Sequence, residues 1–343
     1  MSEAPSQNLT PKAALKRVLA PLVRAAWPAI EALAQITARF SCGDLEVRWF
    51  SAWSPELDAA LERLPPLEDC PREAYRTLVQ EGRKRHALVS RKGAPLALLS
   101  LRRRGRGWEP AAFQCVPFAL APARDAESLG AALNATGLDI MAAAGLGPET
   151  PAMRPTAFWT YDWHKIDLTA DYEGYWRQKK RQYNISRARR HLKELAVRID
   201  GEGDLAWIVE KWREQWADDP GQEVVAAEDR LRLWPLLMAA REPALRVRTL
   251  MLATADGARV GGLVFTTKGD AAMAQCGGRD ATHDDGYLAA AFTVALVDWA
   301  KANGLAFIDM AGGEYKRHWG PVGGQRYGAM FRPRLIQAFS WAL

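Results

Sequence analysis

Cysteine is scarce in this sequence, with four in 343 residues. Cys42, Cys70, Cys115 and Cys276 form no CxxC pair and no Cys/His cluster, which argues against a zinc ribbon or a disulfide framework and fits a reducing cytoplasm. Long apolar runs are also missing. No window approaches the roughly eighteen uninterrupted apolar residues of a spanning helix. The opening MSEAPSQNLT lacks the basic-then-apolar order of a secretory signal, so a cytoplasmic chain is expected. GxxxxGK[ST], GxSxG, HExxH and a helix-opening GxGxxG are all absent, which leaves metal chemistry and nucleotide hydrolysis without support. No metal is expected. Histidine is sparse too, at five residues; His283 and His318 read as ordinary surface or core side chains.

What is present suits a folded protein of more than one unit. The length exceeds what one hydrophobic core usually fills, so two domains are expected. Hydrophobic residues make up 48% and charged residues 25%, ordinary values for a globular chain. Most of the 14 tryptophans sit at helical spacing beside Leu and Ile and read as packing. A net charge of +6 favours anionic partners: a phosphorylated cofactor, nucleic acid or acidic lipid. From Pro11 to Phe40, Leu15, Val18, Leu19 and Leu22 fall on one helical face, and Lys12, Lys16, Arg17 and Arg24 add charge. The preferred reading is a helix packed on the first domain through that stripe and kinked at Pro21 and Pro28. The same features would let it lie on an anionic membrane surface at the inner face of the membrane.

The C-terminal half has a clear order. LRVRTLMLATA, ARVGGLVFTTKG and AAMAQCGG are three strands joined at Asp256-Gly257 and Gly269-Asp270. After RDATHDDG, an almost uniformly apolar helix YLAAAFTVALVDWAK runs to a C-cap at Asn303-Gly304. LAFIDMAG is then a short strand buried on both faces. The N-terminal half repeats this order in HALVSRKG, APLALLSLRRRG, WEPAAFQCV, a helix from Asp125 to Asn134, and LDIMAAAG. Between the halves, from about Tyr172 to Ala240, lies a helical insert in which Leu205, Ile208, Val209, Trp212 and Trp216 share a face. From Arg177 to Lys193 there are eight Lys and Arg residues and no acid. Such a run lacks the glutamates that pair four residues apart on an exposed helix, so it reads either as a solvated face or as a site for an anionic partner.

Three meandering strands, a helix and a strand leading into a Gly-rich turn resemble the GNAT acyltransferase fold. The tandem arrangement resembles the CelD-like and Fem-type (FemAB-like) transferases. The likeness rests on WRQKKRQYNISRARRHLKEL, Trp176 to Leu195, and on IDMAGGEYKRHWG, Ile308 to Gly320. It implies an α+β fold of two GNAT-like domains, each a twisted, mostly antiparallel sheet flanked by helices. The divisions would be a helical segment at 1–44, a degenerate copy at 45–170 and an active copy at 171–343. The usual cofactor signature of spaced glycines at the helix entrance is absent; Arg279, Asp280 and Gly286 stand there, with His283-Asp284-Asp285 between them.

The resemblance also assigns roles. The strands AAMAQCGG and LAFIDMAG would splay, so that Gln275, Cys276, Gly277 and Gly278 hold a pantetheine arm. Arg279, Gly286 and Tyr287 would sit by its pyrophosphate at the helix N-terminus, where Asp284 and Asp285 would instead serve as caps. Lys316 would stabilise an oxyanion or phosphate, Tyr315 would be the leaving-group acid, and Glu314 or Asp309 the base. Lys180, Arg181 and Asn184 would touch substrate. The donor would be acyl-CoA or an acyl carrier protein, and the acceptor an amine of an envelope sugar or a lipid. Fem-type transfer from aminoacyl-tRNA and an inactive tandem scaffold remain open beside it.

Overall fold

From Leu245 to Gly278 alternate side chains must point to opposite sides of a sheet, and both alternations are apolar, so both sides have to be covered. They are. Val247, Met251 and Val264 join one buried cluster, while Leu250, Leu252 and Phe265 join another on the opposite side. This is a computed structural model that describes residues 11–41, 43–64, 71–80, 84–110, 126–146, 148–217, 224–239, 245–283 and 286–342. Cys42, Cys70, Cys115, Asp284, Asp285 and the expected strand beyond Pro110 lie outside those residues.

The strands are β1 (Leu45–Phe50), β2 (Lys84–Arg91), β3 (Ala94–Arg104), β4 (Gly107–Pro110), β5 (Ile140–Leu146) and β6 (Ala157–Asp167) in the first half. The second half has β7 (Ala196–Ile199), β8 (Arg246–Ala253), β9 (Arg259–Lys268), β10 (Ala271–Arg279), β11 (Phe307–Gly312) and β12 (Val322–Phe331). The helices are α1 (Pro11–Ser41), α2 (Pro55–Arg63), α3 (Arg72–Gln80), α4 (Ala126–Ala135), α5 (Tyr172–Gln178), α6 (Gln182–Leu192), α7 (Asp204–Gln215), α8 (Val224–Ala239), α9 (Leu288–Ala302) and α10 (Arg334–Ser340). The fold is α+β.

The twelve strands among the described residues form one sheet in the order β1-β2-β3-β4-β5-β12-β6-β11-β10-β9-β8-β7. Two halves cut at residue 170 therefore share a sheet rather than each having its own. Each also lends its last strand to the other. β6 pairs with β11, Ile166 opposite Ile308, and β12 pairs with β5, Phe331 opposite Ile140. At the centre β6 and β12 run antiparallel from His164 opposite Val322 to Ala157 opposite Met330. Gly320 leads into β12 so closely that a Cβ there would stand 1.8 Å from the Lys165 carbonyl.

Covering the sheet divides the helices. α2, α3, α7 and α8 share one core with Leu88, Leu98, Val247 and Met251. On the other side α9 packs with Trp176 of α5 and Ile185 of α6, and α4 packs on Val89, Leu99 and Ile140. The insert expected as helical contains a strand, β7, which extends the sheet edge beside β8; four residues, AVRI, are too short to display a period. Asp204 at the start of α7 is wholly buried. It accepts from Arg198 Nε at 3.0 Å and from Arg259 Nε at 3.0 Å, which ties α7 to the edge of the sheet.

The first helix buries a different stripe from the one expected. α1 includes Pro21 and Pro28 within its span, and the side chains it buries are Val23, Trp27, Ile30 and Ala34, against Ile336 and Ala342 of the C-terminal segment. Leu15, Val18 and Leu22 face outward instead, because α10 and α4 meet the helix on its other side.

The strand exchange makes a clear prediction. Fragments 1–170 and 171–343, expressed separately, each lack the strand that covers β5 or β11, so neither should show a cooperative thermal transition by circular dichroism. Mixing them should restore one.

Candidate active site

β10 runs beside β11 in parallel only from Ala271 to Met273, opposite Phe307 to Asp309. Beyond Met273 the two strands part. Each also loses register with its other neighbour at that level: β10 shifts against β9 between Ala274 and Cys276, and β11 shifts against β6 between Asp309 and Gly312. A bulge bends and twists its strand, and here Gln275 is the extra residue. On β11 the chain turns sharply through Ala311 at φ 58° and Gly313 at φ 116°. Glycine adopts such angles without strain, whereas alanine in the left-handed region costs about 1 kcal/mol. The Ala311 amide donates to Asp309 Oδ1 at 2.6 Å, which holds the turn.

Between the parted strands lies a cavity of about 520 Å³. Its walls come from both sides of the sheet: Trp212 and Trp216 from the α7 side, Phe292 and Leu296 from the α9 side. Since α7 and α9 cover opposite faces, the cavity passes through the sheet by way of the gap. Gln275, Cys276 and Gly277 form its β10 edge, and Arg279 also lines it. Gly278 is not a lining residue. A Cβ there would fall 2.3 Å from the Ile208 carbonyl, so its glycine is what lets α7 approach β10.

Beyond β11 the short 3-10 turn Glu314–His318 brings Tyr315 and Lys316 to the cavity wall. α5 anchors this turn from behind: Tyr175 Oη donates to the Arg317 carbonyl at 2.6 Å and Trp176 Nε1 to the Trp319 carbonyl at 2.7 Å. Burial pushes the Lys316 ammonium below the usual lysine value, with Asp309 opposing the shift and Arg326 adding to it. Lys316 and Arg279 are the charged groups of the wall, and no carboxylate or imidazole lines it among the described residues.

The two carboxylates expected near Lys316 have other partners. Asp309 is buried and bonded to Arg326, which reaches it from β12 across β6. Burial raises its pKa, and Arg326 and the Ala311 amide pull it back. Glu314 faces solvent and pairs with Arg317 at 2.5 Å. At the entrance of α9, Gly286 has φ 87° and Tyr287 occupies the cap position. The Tyr287 ring stacks on His191 of α6 at 3.9 Å, with the Arg187 guanidinium 5.8 Å from its centroid. Arg181 lies over Trp319 at 5.1 Å, next to the cavity, while Lys180 and Asn184 are exposed and do not line this cavity. His318 Nδ1 is buried with no hydrogen-bond partner among the described residues.

Several residues of the cavity wall and its support had no signal in the sequence. Trp212 and Trp216 read as packing, Phe292 and Leu296 as part of a uniformly apolar helix, and Arg326 belongs to a strand whose neighbours are distant in the chain. The Arg326 pair can be probed directly. Arg326→Met should destabilise the fold by about 3 kcal/mol at pH 7, because it leaves a buried carboxylate unpaired. For an acid whose folded pKa is raised, the cost of ionisation is present above that pKa and is relieved as pH falls through it. Urea unfolding should therefore show a smaller deficit at pH 5 than at pH 7, and Asp309→Asn added to the same variant should recover most of it.

Residues 179–319 match the family described as "Acetyltransferase (GNAT) domain". No curated protein matches the chain in sequence. Among solved structures the chain is similar to L-PGS from Bacillus licheniformis, with 13% identity, 84% of this chain and 97% of that one covered, and a TM-score of 0.51. At that identity the likeness is one of fold. The C-terminal domain of a putative lysylphosphatidylglycerol synthetase from Agrobacterium fabrum is similar at 12% identity, 80% and 91% coverage and TM-score 0.48. A tandem GNAT protein from the clavulanic acid biosynthesis pathway is similar at 11%, 83% and 97% coverage and TM-score 0.45. Over residues 179–319, which include much of the cavity and the turn that carries Lys316, this chain matches a GNAT acetyltransferase domain.

Proposed function

We propose that the protein moves an acyl group from a phosphopantetheine thioester, acyl-CoA in the first instance, directly to an amine of an envelope sugar or a lipid. One observation carries this reading: the pairing of β10 with β11 stops at Met273, and the cavity between the parted strands has Lys316 in its wall. A pantetheine arm is an extended chain of amides and can complete the open edge of β10 as a missing strand would. Residues 171–343 would hold the chemistry, 45–170 a degenerate copy, and 1–44 a helical segment. Among the described residues no group of three or more His, Cys, Asp or Glu side chains could hold a metal ion.

In this mechanism the thioester carbonyl lies in the gap beside Lys316. The amine nitrogen attacks the carbonyl carbon, and the negative charge that develops on oxygen is met by the Lys316 ammonium in a water-poor wall, where such an interaction is strongest. The nitrogen, cationic once bonded to carbon, gives up a proton to water; collapse then breaks the C–S bond, and the Tyr315 hydroxyl is the group able to protonate the departing thiolate, regaining its own proton from water. Asp309, held by Arg326 and the Ala311 amide, fixes the turn that carries Lys316 and is a positioning residue. Since no base lines the wall, the amine sheds its proton to water or to Glu314 at the rim before it attacks. The pyrophosphate would lie at the α9 N-terminus by Gly286 and Tyr287, with Arg279 and Arg187 near. An acyl carrier protein would present the same arm from the basic α5–α6 surface.

Aminoacyl transfer from tRNA is the second reading, and that same surface favours it, because Lys179, Lys180, Arg190 and Lys193 are exposed on it. Binding of tRNA would weaken steeply with salt. Binding of CoA should instead raise the melting temperature by several degrees without tRNA, since a ligand at one hundred times its Kd adds about 2.7 kcal/mol. Lack of any CoA shift, together with salt-sensitive tRNA binding, would select the second reading.

Lys316→Ala should lower kcat/KM by about 10²- to 10³-fold, with little change in KM for the donor. If the ammonium does the work, the rate rises with pH as the amine deprotonates and falls again as Lys316 loses its proton, below the ordinary lysine value of about 10.4. In Lys316→Arg that alkaline fall should move to higher pH, to the range where Tyr315, raised by burial, ionises, because a guanidinium stays charged. A pH-rate profile with the same alkaline limb in both proteins would rule this role out.

A further inference from the structure

α1 carries two apolar stripes and buries one of them. At 100° per residue Val23, Trp27, Ile30 and Ala34 fall within one arc and form the contact with α10. Leu15, Val18, Leu22, Leu33 and Ile36 fall within a second arc, more than a quarter turn away, and each is between 49% and 66% exposed. Ala26 and Ala29 continue that arc between Leu22 and Leu33. The stripe extends over about 30 Å of helix. Lone exposed apolar residues are common on any protein, whereas a contiguous ridge of this length marks a contact surface. α10, packed on α1 through Ile336, is followed by Trp341, 45% exposed, and itself exposes Phe339.

Charge identifies what covers the ridge. α1 carries Lys12, Lys16, Arg17, Arg24 and Arg39 against a single acid, Glu31, and Glu31 is turned inward to Arg103 and to Trp108 Nε1. The helix is only about 10 Å across, so its cations lie about one Debye length from a surface touching the ridge. α1 and α10 also sit on the face of the sheet that carries α4, and this is the face covered by α9, α5 and α6 in the other half, because α3 and α8 meet on the opposite face. The exposed Lys179, Lys180, Arg190 and Lys193 therefore belong to the same face. Leu, Val, Phe and Trp beside uncompensated Lys and Arg are the composition of a helix that lies in a lipid interface. We propose that this face docks the protein on an anionic phospholipid surface, with the Leu15–Ile36 ridge of α1 inserted among the headgroups. No helix among the described residues is long and apolar enough to cross a membrane, so the contact is peripheral.

The proposal is independent of the acyl-transfer reading, and binding is measured without turnover. The full chain is sedimented with phosphatidylcholine vesicles and with vesicles containing phosphatidylglycerol. Binding at least tenfold tighter to the anionic vesicles, weakening with salt, is expected. Val18→Glu with Leu22→Glu should reduce it at least tenfold while the melting temperature stays unchanged, since both side chains are exposed. Arg17→Gln with Arg24→Gln should lower the preference for phosphatidylglycerol. No binding to anionic vesicles, or equal binding by wild type and V18E/L22E, overturns the proposal. So does a wild-type dimer in sedimentation velocity that V18E/L22E dissociates, which would give the ridge to a second copy. Transfer to a water-soluble amine should be unchanged by V18E/L22E, so loss of docking and loss of the catalytic reading can be told apart.

Discussion

The parting of two parallel strands after three paired residues is the constraint on which the site depends. Here the departure is built on both sides: the Gln275 bulge turns β10 one way, and the Ala311-Gly313 turn, pinned by Asp309, takes β11 the other. Trp212 and Phe292 then keep the opening lined from the two faces. An open strand edge inside a wall of aromatic side chains suits a thin, amide-bearing ligand better than it suits water.

Strand exchange explains how so local an opening can be rigid. β6, from the first half, closes the far side of β11, and β12 returns to the first half after passing Arg326 beneath Asp309. The turn that carries Lys316 is thus framed by strands of both halves, and α5 holds its carbonyls from outside. The first half need not perform chemistry to be required for it. Its contribution is to fix β6, and through β6 the end of β11.

Local pattern carried much of this into the sequence. The β8–β10 meander, the buried α9 and the β11 strand are legible because continuous apolar runs, DG and GD turns and the Asn303-Gly304 cap are all local signals. Nothing local reports pairing partners. β6 and β12 therefore went unassigned, although AFWTYDWHKID is strand-like, and so did the Asp309–Arg326 pair, whose members are separated by a strand in the sheet. α1 shows the complementary failure. A helix with two apolar stripes has a periodicity that cannot say which stripe is buried: of the expected residues, Leu15, Val18 and Leu22 lie on the outer stripe, while Leu19 packs inward. Residues such as Tyr315 and Lys316 were identifiable because a Gly-rich turn after a buried strand has no structural need for them. Glu314 shared that signal and points to solvent.

Hydrogen–deuterium exchange resolved along β10, with and without acyl-CoA, tests the central claim most directly. Amides of Ala271 to Met273 should be slow in both conditions, while those of Gln275 to Gly278 that face β11 should be fast alone and protected once the donor is bound. Equal, slow exchange along the whole strand in the absence of donor would mean that the gap does not exist in solution.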